Sequence, residues 1–138
     1  MTKPCAWKPI QLSSEYAPSA GAFSPAAEAG GLVFVSGQIP RDPVSGQWEK
    51  ERPLEEQARR VFSNLELTLG AAGVELADVA SVSVFLANIS DWSTVNRIFQ
   101  KYFQPSYPAR AVVGASLEGF LIEITAVAAR PHPEEARR

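Results

Sequence analysis

Two charged residues near the end of the chain, Arg110 and Glu123, have the chemistry to bind a small anion and to activate a water molecule. Glu123 lies within residues 120–129 (FLIEITAVAA), an apolar run that predicts a buried strand. A buried carboxylate costs free energy unless another group pairs with it. Arg110 precedes a second apolar run, residues 111–117, and the short Glu118-Gly119 connection predicts a hairpin between the two runs. We therefore expect the guanidinium and the carboxylate to share one region of a sheet.

Two interpretations of this pair follow from the local sequence. In the first, Arg110 and Glu123 form a structural ion pair with no ligand, which is the commoner arrangement for such residues. In the second, the guanidinium binds an anionic small molecule while the carboxylate activates water. The local pattern alone favours the structural ion pair.

The composition limits the classes of function. The chain has 138 residues, of which 46% are hydrophobic, so residues 1–130 are predicted to form one domain, with residues 131–138 as a charged, disordered tail. The net charge is −2 without a basic cluster in the body of the chain, which argues against nucleic acid as a partner. The first residues lack the pattern of a signal peptide, and the apolar runs are too short to cross a membrane. These features and the single cysteine, Cys5, predict a cytoplasmic protein without a membrane partner.

The scarcity of histidine and cysteine excludes several kinds of catalytic site. His132 is the only histidine, and both it and Cys5 lie near the ends of the chain. A Ser-His-Asp or Cys-His apparatus and a Cys/His zinc site are therefore not expected. The sequence also contains no GxGxxG or P-loop motif. Catalysis, if present, depends on residues such as arginine, carboxylates, serine, tyrosine or lysine, or on backbone amides.

Hydrophobic periodicity predicts an α+β fold with the order β-β-β-α-β-α-β-β. An apolar stripe at helical spacing predicts a helix over residues 54–72, and a second helix is expected from about residue 90 to 103. Alternating or continuous apolar runs predict strands at residues 8–12, 24–29, 32–36, 81–87, 111–117 and 120–129. We expect one mixed sheet with both helices on one face.

The strands are apolar on both faces, and two helices cover only one of them. The uncovered face needs a partner, and a homo-oligomer that packs sheets together supplies it. Such packing also creates concave sites between subunits.

Several motifs in order along residues 18–130 resemble those of the RidA family, also called YjgF-like. Ser36-Gly37-Gln38-Ile39-Pro40 resembles its SGQ(I/V)P signature, and Gly21-Ala22-Phe23-Ser24 is similar to its GPYS element. Pro108-Ala109-Arg110 and the strand around Ile122-Glu123-Ile124 resemble its last two motifs. Phe23 stands where the deaminases of this family usually have tyrosine.

The resemblance implies a chorismate-mutase-like fold and a homotrimer, a trimeric barrel with three clefts between subunits. It implies hydrolysis of reactive 2-imino and enamine acids of the 2-aminoacrylate type to 2-keto acids and ammonia, with no cofactor. Arg110 would anchor the substrate carboxylate, Glu123 would activate water, and Ser36, Gly37 and Phe23 would line the substrate site. The alternatives are a non-catalytic trimer that binds small carboxylates and, less favoured, an endoribonuclease or translation inhibitor.

Overall fold

Six strands form a single mixed sheet in the computed structural model, which describes residues 6–132. The strand order across the sheet is β1-β2-β3-β6-β4-β5. All neighbouring strands are antiparallel except β4 and β5, which are parallel. The strands are β1 (Lys8–Ile10), β2 (Ala26–Ala29), β3 (Leu32–Gln38), β4 (Val79–Leu86), β5 (Ala109–Gly114) and β6 (Ile122–Ala129). The predicted α+β class and the predicted order of elements are confirmed, with ends that differ by a few residues.

Two helices, α1 (Leu54–Ala71) and α2 (Trp92–Tyr102), pack on one face of this sheet. Alternate residues of the central strands point towards them and are fully buried, as Ile122 and Ile124 are. Pro53 precedes α1, and Gly73 ends it with a φ of 79°. The next amide, that of Val74, donates to the Leu69 carbonyl at 3.0 Å, which completes a Schellman motif.

The strands that carry Arg110 and Glu123 are not neighbours, so the predicted hairpin is wrong. Both β5 and β6 pair with β4, which lies between them. Helix α2 connects β4 to β5, and such a crossover makes β5 parallel to β4. Strand β5 then ends at Gly114, and the following seven residues, 115–121, carry the chain past the end of β4 to begin β6. The Glu118-Gly119 connection belongs to this longer loop.

The sheet face opposite the helices carries apolar side chains that remain exposed. Phe34 is 44% exposed and Leu32 38%, both on β3, and Val113 on β5 is 45% exposed. Phe85 and Val127 are half-buried on the same face. This uncovered face, which we call the open face, matches the prediction of an apolar surface that the two helices do not cover.

The remaining predictions concern the ends of the chain and the membrane. Within residues 6–132, no helix is both long enough and apolar enough to span a membrane. The predicted tail falls mainly on residues 133–138, which lie outside the described residues, as does Cys5. The cytoplasmic location stays a prediction.

Candidate functional site

A β-bulge in β3 brings Gly37 against the carboxylate of Glu123. Val35 pairs with Ala126 and Gln38 with Ile124, so β3 has one more residue than β6 over this stretch. A Cβ atom at Gly37 would collide with Oε2 of Glu123 and lie 3.0 Å from its carboxyl carbon. The absence of a side chain at Gly37 therefore provides the space that the carboxylate occupies.

Glu123 is a half-buried acid on the open face of the sheet. Its neighbours in β6, Ile122 and Ile124, are fully buried on the opposite face. Burial raises the pKa of Glu123 above its ordinary value, and within residues 6–132 no cation or hydrogen-bond donor offsets this effect. A carboxylate with a raised pKa is a stronger base than an exposed one, which suits it to accepting a proton from water.

Arg110 lies on β5, at one edge of the sheet, and its side chain extends over helix α2. Its Nη1 donates to Oδ1 of Asn96 at 3.0 Å. Its guanidinium carbon lies 4.8 Å from the ring centroid of Phe99 and 5.4 Å from that of Trp92, within the range of cation–π interaction. Among residues 6–132 no carboxylate pairs with Arg110, so the structural ion pair of the first interpretation is absent there.

Arg110 and Glu123 point to opposite faces of the sheet. Arg110 is the register partner of Val82, which faces the helices and is 1% exposed. Glu123 is the register partner of Phe85, an odd number of residues further along β4 and therefore on the open face. Strand β4 also separates their strands by about 10 Å. A single chain consequently does not bring the two groups to one small ligand.

The two remaining predicted site residues, Ser36 and Phe23, lie on the Gly37 side of the sheet. The Ser36 hydroxyl donates to the Ser24 carbonyl at 2.6 Å, so its proton is used within the protein and its oxygen retains acceptor capacity. Phe23 is 54% exposed and lines a pocket of about 100 Å³ together with Gly37 and Gln38. The structure thus places Gly37 against Glu123 and Phe23 in a pocket with Gly37, and leaves Arg110 apart.

Three amide side chains that sequence reasoning left without a site role hold Arg110 and the backbone near Glu123 and Gly37 in place. Asn96 fixes Arg110, as described above. Gln57 is fully buried, and its Oε1 accepts from the Leu121 amide at 2.8 Å, which holds the chain two residues before Glu123. Asn64 donates to the Ile39 carbonyl at 3.1 Å, two residues after Gly37. The sequence does contain a signal for these residues. Each is a polar residue within or beside the apolar stripe of a helix, and a buried amide needs a hydrogen-bond partner.

The described residues offer no ligand set for a metal ion. Within residues 6–132, no group of three or more histidine, cysteine, aspartate and glutamate side chains lies together.

Comparison with known proteins assigns the chain to a family. The sequence model described as endoribonuclease L-PSP matches residues 14–130. The chain belongs to this family, which is the RidA/YjgF family. The predicted resemblance is therefore confirmed, and it covers nearly all of the described residues.

Individual relatives of the RidA/YjgF family share much of the chain. A RutC family protein of Pyrococcus horikoshii is 40% identical over 110 residues, which cover 78% of this chain and 86% of the relative. The 2-iminobutanoate/2-iminopropanoate deaminase of Rattus norvegicus is 43% identical over 120 residues, covering 85% and 87%. The crystal structure of the Rid-family protein YyfA from Yersinia pestis superposes with a TM-score of 0.80 at 35% identity and covers 90% of this chain and 99% of its own.

Proposed function

We propose that this protein hydrolyses reactive 2-imino acids and their enamine tautomers to 2-keto acids and ammonia. The observation that carries the proposal is the presence, in one RidA/YjgF chain, of two groups: Arg110, which pairs with no carboxylate among residues 6–132, and Glu123, a half-buried glutamate whose pKa is raised by burial. The names of the rat and human relatives, both 2-iminobutanoate/2-iminopropanoate deaminases at 43% and 41% identity, support the same reaction.

Arg110 would bind the substrate through its carboxylate. A guanidinium presents parallel N–H donors that match the two oxygens of a carboxylate. Asn96 engages Nη1, and the Phe99 ring supports the guanidinium, so the side chain is held in one orientation before a ligand arrives. A preorganised donor loses less conformational entropy on binding, which favours a small ligand with few contacts.

Glu123 would activate the attacking water. Its carboxylate takes a proton from water as the oxygen adds to the C=N carbon of the imine, and returns that proton to the nitrogen, which gives a carbinolamine. Glu123 then takes the proton of the carbinolamine hydroxyl and passes it to the nitrogen, so that the C–N bond breaks and ammonia leaves as the C=O bond forms. The sum is one imino acid and one water converted to one keto acid and one ammonia, with Glu123 returned to its ionised state.

Because Arg110 and Glu123 of one chain lie on opposite sheet faces, the proposed site needs a second copy. We propose a trimer, with the chorismate-mutase-like barrel arrangement, in which open faces pack together and Arg110 of one copy approaches Glu123 of its neighbour. The exposed apolar side chains of the open face support such packing, since a soluble protein rarely leaves such a surface uncovered. Static light scattering at micromolar concentration should give about three times the 14.9 kDa chain mass.

The reaction is tested with an imine that is generated in the assay. A dehydratase or an amino-acid oxidase forms 2-aminoacrylate or 2-iminopropanoate, and pyruvate release is recorded with and without the protein. We expect the parent protein to accelerate release and Glu123→Gln to lower the rate by at least about a hundredfold. A parent protein that gives the rate of buffer alone would rule out the deaminase proposal.

Carboxylate binding without turnover is the second candidate, and Phe23 is the observation that favours it. Phe23 lines a pocket with Gly37 and supplies no hydroxyl there. The resemblance implies a tyrosine at this position in the family's deaminases, and its hydrogen-bond donor would then be missing. Binding of pyruvate together with an inactive parent protein would select this candidate. RNA cleavage has less support, because Arg60 and Arg130 are paired with carboxylates and the net charge is −2.

A further inference from the structure

A pocket of about 280 Å³ lies beside Arg110, between the end of helix α2 and the beginning of β5. Its walls are the side chains of Phe99, Tyr107 and Pro108, with Asn96 and Gln100 at the polar positions. Tyr107 is 50% exposed, so one face of its ring is available to a ligand. The pocket therefore combines one cation with aromatic and apolar walls.

The guanidinium of Arg110 is positioned so that it can serve this pocket. The Phe99 ring, at 4.8 Å, holds the guanidinium plane, and Asn96 engages Nη1. Within residues 6–132 this is its one hydrogen bond, which leaves the other N–H groups for a ligand. A carboxylate bound there would have its attached carbon chain beside the pocket that Arg110 helps to line.

The volume of the pocket exceeds the needs of a small imino acid. A cavity of about 150 Å³ accommodates a benzene ring. The pocket of about 280 Å³ thus has room for a carboxylate-bearing carbon and an aromatic ring together, whereas the methyl group of 2-iminopropanoate would leave most of it to water. An aromatic side chain also gains favourable offset or edge contacts with the Tyr107 ring.

We propose that this pocket receives the substrate side chain, and that the preferred substrates are 2-imino acids with an aromatic side chain, such as the imine of phenylalanine. This inference rests on the proposed imine hydrolysis and adds its substrate class. Tyr107 is the specificity-determining residue, because its ring forms an exposed wall of the pocket. It can also be changed without opening the core. Phe99 is only 3% exposed and supports the fold as well as the pocket.

The test compares kcat/KM for the imines of phenylalanine and alanine, both generated by an amino-acid oxidase, in the parent, Tyr107→Ala and Tyr107→Phe proteins. We expect the parent to favour the phenylalanine imine by about tenfold or more. Tyr107→Ala should lower this ratio to near one, and Tyr107→Phe, which keeps the ring, should retain it. A parent that favours the alanine imine, or a ratio that Tyr107→Ala leaves unchanged, overturns the inference.

A second measurement separates this inference from the proposed reaction. If neither imine is hydrolysed, the deaminase proposal fails, and calorimetric titration with phenylpyruvate and pyruvate tests the pocket by itself. Tighter binding of phenylpyruvate by about tenfold, lost in Tyr107→Ala, supports an aromatic side-chain pocket. Equal affinities for the two keto acids, or no binding of either, overturn it.

Discussion

The carboxylate of Glu123 occupies the space in which a side chain on Gly37 would lie. We predict that Gly37→Ala displaces this carboxylate and lowers kcat by about one to two orders of magnitude, because small errors in position are costly in catalysis. The colliding atoms are the far end of a flexible side chain, so the fold should persist. Keto-acid release and thermal unfolding, measured on the same preparation, separate the two effects.

Gly70 provides the matched control for this substitution. It lies in α1, and an added Cβ there would meet no atom within 4 Å. Gly70→Ala should keep full activity and stabilise the protein by about 0.5–1 kcal/mol, since alanine favours the helix. Equal activity of Gly37→Ala and the parent would show that the Glu123 carboxylate need not keep its observed position.

The pH dependence of hydrolysis should report the burial of Glu123. Burial raises the pKa of this group above 4.5, and only its ionised form accepts a proton from water. Activity should therefore fall as the pH is lowered through the raised pKa, at a pH higher than that of an exposed glutamate. The profile of kcat/KM, corrected for buffer-catalysed hydrolysis, measures this acid limb. The limb should be absent from the residual activity of Glu123→Gln, and a limb at or below pH 4.5 would contradict the prediction.

Arg110→Lys should weaken pyruvate and 2-ketobutyrate binding strongly, although the charge is kept. Lysine lacks the parallel donors that grip a carboxylate and cannot reproduce the planar contact with Phe99. Arg97 on the same helix is the control, because its guanidinium is exposed and contacts Thr94 at 3.4 Å. Calorimetric titration should show binding retained in Arg97→Ala. An Arg110→Lys protein that binds like the parent would remove Arg110 from the anchor role.

The sequence predicts the elements well because their signals are local. The apolar stripe of α1 and the motif around Gly37 are visible within a few residues. Strand pairing is not local: the hairpin expected between the strands of Arg110 and Glu123 is replaced by two pairings with β4. That error also hid the separation of the two residues, since the face on which each lies depends on its register with β4. The hydrogen bond between Asn96 and Arg110 could not be predicted for the same reason, because the crossover from α2 to β5 brings these two residues together.

Mixing two inactive variants tests whether one site uses residues from two copies. Arg110→Ala keeps Glu123, and Glu123→Gln keeps Arg110, so neither homo-oligomer contains a complete pair. If the site lies between subunits, unfolding and refolding the two proteins together in equal amounts should make about one quarter of the sites complete. Imine hydrolysis should then return to about that fraction of the parent activity, while each variant refolded alone stays inactive.

The activity of the refolded mixture shows whether the Arg110 and Glu123 of one site come from the same copy or from two copies. If Arg110 and Glu123 of the same copy acted together, every chain in the mixture would lack one of them, and no activity would return. Arg110 and Glu123 of one chain lie on opposite faces of the sheet. Recovered activity therefore requires that Arg110 of one copy works with Glu123 of a neighbouring copy. Light scattering on the refolded mixture checks that an oligomer has formed. Co-purification of both variants through a tag on one of them, without activity, would refute the inter-subunit site, because complete pairs would then be present at the interfaces and fail to work.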